Sequence, residues 1–286
     1  MIQRGRINLL AGDNEAAVND ATLALQIAPN NVYALLLRAQ AYGEQKQWEK
    51  GLADAEQAVT LAPGASQSLR IWAMLVAAAD KVDEVLPELE RQHRQAPEDT
   101  AALLRLAMIY GSKKQFEKAI DAYSDTLQHE PTNWFAYQGR ADTYLSIGKQ
   151  AEALADYEQA LKLDPNNSGV LNNLAWLLAT SPDDKLRNGK RAIDLALKAC
   201  EVTDYKQAHI LSTLAAAYAE TGDFDTAKKW SGKAVETSDE SMKEQLSKEL
   251  KSYEEGKPWR ELQNETPKAE GEKAESDKAE SEKAED

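Results

Sequence analysis

Residues 134–167 read WFAYQGRADTYLSIGKQAEALADYEQALKLDPNN, and the spacing of small and apolar residues within them decides the fold. Ala153, Leu154, Tyr157, Ala160 and Leu161 fall at i, i+1, i+4, i+7 and i+8, which places them on one face of an α-helix. Before them, Tyr137, Ala141 and Tyr144 make a second helical stripe, and Gly148-Lys149 supply the turn between the two. Pro165 has no N–H to continue the second helix and so closes the unit. The stretch predicts a helix-turn-helix hairpin.

The hairpin recurs along the chain. Pro29, Pro63, Pro97, Pro131 and Pro165 are separated by four successive gaps of 34 residues, and Gly5, Ala39, Ala73, Ala107, Ala141 and Ala175 keep the same step in a second register. A period of this length is that of a solenoid. Small residues let paired helices approach while aromatics fill the gap opposite, so neighbouring hairpins share one core and none is stable alone.

The set Tyr137, Ala141, Tyr144, Gly148, Ala153, Tyr157, Ala160, Pro165 resembles the tetratricopeptide repeat. So do Leu103, Leu106, Ala107, Tyr110, Ala119, Tyr123 and Pro131, and the unit holding Leu35, Ala39, Tyr42, Ala58 and Pro63. The resemblance implies an all-α fold, a right-handed superhelical solenoid of about seven hairpins followed by a C-terminal capping helix. The expected array covers 1–237, in units 1–31, 32–65, 66–99, 100–133, 134–167, 168–206 and 207–237; a capping helix covers 238–256 and a disordered, charged tail 257–286. Leu171 to Thr180, followed by a long loop, looks like a variant common in the C-terminal repeats of bacterial members, and a bacterial origin is the working assumption.

Three places depart from the pattern. In 66–99, Pro87 falls inside the second helix and Gln92 replaces a small residue; Pro87 is expected near the first turn after Asp83, with a mid-helix kink as the alternative. Ser181 to Gly189 lengthen a turn before Ala192, Ala196 and Ala199 resume the helical stripe. At the start, Gly5 already holds the small place of a first helix with little room to begin. Two readings stand there: a parent chain with further repeats, an export signal or another domain upstream, or a short frayed helix.

Composition excludes several functions. The formal net charge of -14 repels phosphate backbones and anionic lipid, so neither nucleic acid nor membrane insertion is expected. The longest apolar run, Ile71 to Ala79, is too short to span a bilayer. The first residues form no signal peptide, which places the chain as given in the cytoplasm, or in the periplasm if an upstream signal belongs to it. Cys200 has no intrachain mate and reads as a small core residue. No phosphate loop, dinucleotide fingerprint or zinc-protease motif is present, His93, His129 and His209 are scattered, and Asp183-Asp184 read as solvated loop residues. No catalytic residue, metal or cofactor is expected, and the chain is read as a scaffold, not an enzyme.

In proteins similar to this one, the concave groove is lined by first-helix residues turned away from the packing stripe. Here those are Tyr33, Leu36, Gln40, Arg70, Met74, Arg105, Met108, Gln138, Asp142, Asn172, Asn173, Trp176, His209 and Ser212. Amides can hold a peptide backbone without reading its sequence, and Met74, Met108 and Trp176 offer adaptable apolar contacts, with packing between repeats as their other reading. Members that grip chaperone C-terminal carboxylates use a Lys-Asn-Asn-Lys-Arg set, of which only Asn172 or Asn173 has a counterpart, so that activity is not expected. The expected function is to bind an unidentified peptide or partner protein in the groove. The alternative is an interaction module at the C-terminus of a larger kinase or hydrolase. Exposed end hairpins also allow self-association.

Overall fold

The computed structural model describes residues 1–261, which fold into fifteen α-helices with no strand among them. They belong to two compact units, one of residues 1–143 and one of the described residues from 144 on. The first holds α1 (Ile2–Leu10), α2 (Asn14–Ile27), α3 (Val32–Glu44), α4 (Trp48–Leu61), α5 (Ser66–Ala78), α6 (Val82–Gln95), α7 (Thr100–Ser112), α8 (Phe116–His129) and most of α9 (Trp134–Ser146). The second holds the end of α9, then α10 (Gln150–Leu163), α11 (Ser168–Thr180), α12 (Gly189–Val202), α13 (Ala208–Glu220), α14 (Phe224–Thr237) and α15 (Glu240–Glu254).

The 34-residue step has a local cause at each helix end. Asn31, Asp99, Asn133 and Asn167 share one register, and each side-chain oxygen accepts from a backbone N–H of the helix it starts, at 3.0 to 3.2 Å. Ala65 holds that register before α5 and makes no such cap. Between the helices of a hairpin, one residue must turn left-handed: Gly12, Lys46, Asp80, Lys114 and Gly148 have φ of 79°, 58°, 56°, 57° and 75°. The N–H that follows each of them reaches back five residues, as in Gln47 to Tyr42 and Gln115 to Tyr110, both 2.9 Å. That closes the first helix with a Schellman turn.

In the first unit the core runs through Leu35, Trp72, Leu75, Leu103, Leu106 and Phe135. Ala39, Ala107 and Ala141 have no exposed surface, and at Gly139 an added Cβ would lie 2.4 Å from the Tyr123 ring, so helix approach there depends on the missing side chain. The first two hairpins each carry an ion pair on a buried aspartate that no sequence motif marks. Arg38 forks onto the Asp54 carboxylate at 2.7 and 2.8 Å, and Arg4 onto Asp20. The same two places hold Trp72 with Glu88 in the third hairpin and Leu106 with Ala122 in the fourth.

That third hairpin is the loosest. Only Leu89 of α6 is fully buried, against five residues in each of α4 and α8. Pro87 is the sixth residue of α6, because the helix begins right after Lys81, so it lies one turn further in than the expected first-turn position. Its ring nitrogen cannot bond the Asp83 carbonyl, which weakens the helix at its second turn.

In the second unit Leu171, Ala175, Ala196, Ala199, Cys200, Leu211, Leu214, Ala234 and Leu246 form the core. The long turn between α11 and α12 is held by the Asn188 N–H on the Leu178 carbonyl at 2.8 Å and by Arg187 Nη1 on the Ser181 carbonyl at 2.8 Å. Asn188 then caps α12. Helix α15 buries Leu246, Glu249 and Tyr253, and Gly256, with φ of 70°, turns the chain at its end. Of the charged tail expected from Lys257, Arg260 and Glu261 lie against α11 and α13, and residues 262–286 lie outside the described residues.

Candidate peptide-binding faces

In the first unit the first-helix residues divide by environment. Tyr33 and Met74 are open to solvent, 70% and 52% exposed, while Leu36 is buried and Gln40 and Met108 are half-buried. Arg70 and Gln138 meet: Arg70 Nη2 donates to Gln138 Oε1 at 2.7 Å, with its guanidinium 5.1 Å from the Phe135 ring centroid. Their polar groups are thus engaged with each other. Asp142 is exposed. Arg105 sits apart from these residues. It stacks 5.9 Å from the Trp72 ring, reaches Gln92 at 3.4 Å, and lines a cavity of about 360 Å³ with Glu56, Glu84 and Glu88. Burial lowers its pKa.

In the second unit Asn172, Asn173 and Trp176 stand on α11, with His209 and Ser212 on α13. Asn172 donates to Asn173 Oδ1 at 3.2 Å, and Asn173 reaches the Tyr157 hydroxyl at 3.5 Å. His209 is exposed. Ser212 donates to the Glu249 carboxylate of α15, which also accepts from Gln245 at 3.1 Å. Burial raises the Glu249 pKa, and the negative Glu261 adds to the rise, against the lowering by its two hydrogen bonds.

Trp176 does not face open solvent alone: its Nε1 donates to the carboxylate of Glu261, whose own N–H donates to the Thr180 carbonyl at 2.9 Å. Arg260 lies between them, Nη1 on the Ala179 carbonyl at 3.3 Å and Nη2 2.6 Å from the Glu220 carboxylate. Thr180 and Glu220 also belong to this face, though neither is among the first-helix residues expected to line the groove. Helical spacing held the signal, since Thr180 follows Trp176 by four residues and Glu220 follows Ser212 by eight.

Among the described residues no group of three His, Cys, Asp or Glu side chains could hold a metal ion, and no helix is long and apolar enough to cross a membrane. Cys200 is buried, and burial pushes its thiol up to about 11, which leaves almost no thiolate at neutral pH.

The profile of the tetratricopeptide repeat matches residues 112–243, which run from the end of α7 into α15 and include the hairpin α9–α10. Over these residues the chain is built of tetratricopeptide repeats. Among curated proteins it is similar to the tetratricopeptide repeat and J domain-containing co-chaperone DNJ1 of Fusarium oxysporum, 27% identical over 134 residues, which are 46% of this chain and 26% of that protein. It is also similar to the small glutamine-rich tetratricopeptide repeat-containing protein 2 of Saccharomyces cerevisiae, 26% identical over 119 residues, 41% of this chain and 34% of the relative. The match thus spans about a third or less of either relative's length. Among solved structures, yeast Tom70 aligns with a TM-score of 0.64 at 16% identity, covering 88% of this chain and 53% of that one. At that identity the likeness is one of fold. Tetratricopeptide repeats are the architecture of protein-interaction scaffolds, and that coarse role comes with the fold.

Proposed function

We propose that this tetratricopeptide-repeat chain is a non-catalytic scaffold whose first-helix faces bind a peptide or an extended segment of a partner protein. The observation that carries the reading is in the second unit, where the face formed by α11 and α13 already holds a non-helical piece of the chain itself, Arg260 and Glu261. A surface with that capacity offers backbone carbonyls, a carboxylate and an indole N–H at one place. In the first unit the corresponding open positions are Tyr33 and Met74, a rigid amphipathic ring and an adaptable thioether of the kind that serves as a contact anchor. The Fusarium relative is named a co-chaperone, which supports a protein as the partner.

The test is a peptide-display selection against the full chain, repeated with Tyr33→Ala plus Met74→Ala. Selected peptides should bind the variant at least about tenfold more weakly, the effect of losing one good contact residue. If every peptide bound both chains equally, the first-unit face would be lost as a binding site.

A further inference from the structure

Helix α11 ends at Thr180, and a helix end leaves its last four carbonyls without partners inside the helix. Here each can be accounted for. The Leu177 carbonyl takes the Ser181 N–H at 3.1 Å, and the Leu178 carbonyl takes the Asn188 N–H at 2.8 Å, both from the loop that follows. The remaining two are met from far along the chain. Ala179 accepts from Arg260, 81 residues on, and Thr180 accepts from the Glu261 N–H. At the end of α13, Glu220 holds two guanidinium groups, Arg187 at 3.0 Å and Arg260 at 2.6 Å. Trp176 contributes the one donor.

Without residues 260 and 261, this face would present two carbonyl oxygens without a protein partner and half of a carboxylate's capacity, with an indole N–H beside them. Acceptors of that number ask for a cationic fork and a backbone N–H together. The lone donor asks for an acid one residue further on. We infer that this face of α11 and α13 is a receptor for an extended protein segment carrying an arginine followed by an acidic residue, and that the chain fills it in cis with Arg260 and Glu261, so that a partner enters by displacement. This rests on the first-helix-face reading above and adds the chemistry of the ligand and its internal competitor.

The occupant has the build of a replaceable one. It is a short non-helical segment reached through a left-handed glycine, Gly256, and its named contacts are one guanidinium, one backbone N–H and one carboxylate. Pro258 restricts the backbone before binding, which lowers the ordering cost. Attachment to α15 by a few residues gives an effective concentration on the order of millimolar, so a free peptide of the same sequence meets a site already filled.

The probe is a dye-labelled, C-terminally amidated peptide of residues Gly256–Glu261, read by fluorescence anisotropy against the full chain. Two opened chains are used, Arg260→Gln and Arg260→Ala with Glu261→Ala. Both should bind the peptide at least about tenfold more tightly than wild type, as expected when an internal competitor is removed. Binding should disappear when the peptide's arginine is alanine, or when Glu220→Gln is added to an opened chain. Opened chains that keep the wild-type circular dichroism and melt but ignore the peptide would reduce these contacts to a fixed cap on α11. Equal binding by wild type would remove the internal competitor. Should the opened chains unfold, hydrogen exchange on wild type decides: the Glu261 amide must exchange well before the α11 amides, and equal protection overturns displacement. The Tyr33 and Met74 test concerns the other unit, so either result can fail while the other stands.

Discussion

Lys46, Asp80 and Lys114 stand where the hairpin turn requires a left-handed backbone, and the equivalent places are glycine at 12 and 148. A side chain at such a φ costs about 1–2 kcal/mol through its Cβ, while glycine costs about 0.5–1 kcal/mol in unfolded-state entropy. The steric effect is the larger. Lys114→Gly should therefore stabilise the chain by about 0.5 kcal/mol, and Gly148→Ala should destabilise it by about 1 kcal/mol. Paired denaturant melts give both values, and a loss of stability in Lys114→Gly would mean that its side chain contributes a contact outweighing the strain. The sequence alone showed the turn at Gly148-Lys149 because glycine announces it. The lysines at 46 and 114 announce nothing, and only the 34-residue register carries the same requirement to them.

Helix α15 was legible as an element from Met242, Leu246, Leu250 and Tyr253, but what it covers was not. Residues on α13 and α15 meet across 37 positions of chain, as Ser212 and Glu249 do, and no local period reports that. Composition likewise drew the tail's border at 257, since charge there looks like solvation until Arg260 is seen between Glu220 and Ala179. Glu249 makes this element pH-dependent. Its pKa is raised in the folded chain by burial, so its stabilising contribution is complete below the unfolded carboxylate value, about 4.3, and is lost as pH rises through the folded value. Ser212, Gln245 and Glu261 act on it directly, while Arg260, already paired with Glu220, bears on the neighbouring Tyr253. Glu249→Gln should then stabilise the chain at pH 7.5 by on the order of 1 kcal/mol and change little at pH 4. Melting curves at the two pH values test the sign; destabilisation at pH 7.5 would show that the carboxylate is held ionised by its donors.

At the scale of the whole molecule, periodicity told the most. As far as Ala175, helices, turns and the small-residue seams follow from one 34-residue step, because each repeat solves the same packing problem. Where a hairpin solves it differently, the step hides the change: Arg4 with Asp20 and Arg38 with Asp54 repeat an ion pair on a buried aspartate, and Trp72 with Glu88 breaks it. Net charge is the other property of the whole chain, and it sets a contest between two effects of salt. At -14 the charges repel one another, which destabilises compact states and is relieved as the Debye length falls from about 30 Å at 0.01 M to about 8 Å at 0.15 M. Salt also weakens ion pairs. The exposed ones, such as Arg91 with Glu88 and Lys248 with Glu244, contribute little to begin with. The Asp20 and Asp54 carboxylates are buried and so are screened much less than exposed groups. Relief of repulsion should win, and Tm should rise by a few degrees, about 2–4 °C for a chain of this size, between 10 and 150 mM sodium chloride. A falling Tm over the same range would mean that attraction between the mixed charges outweighs the net repulsion.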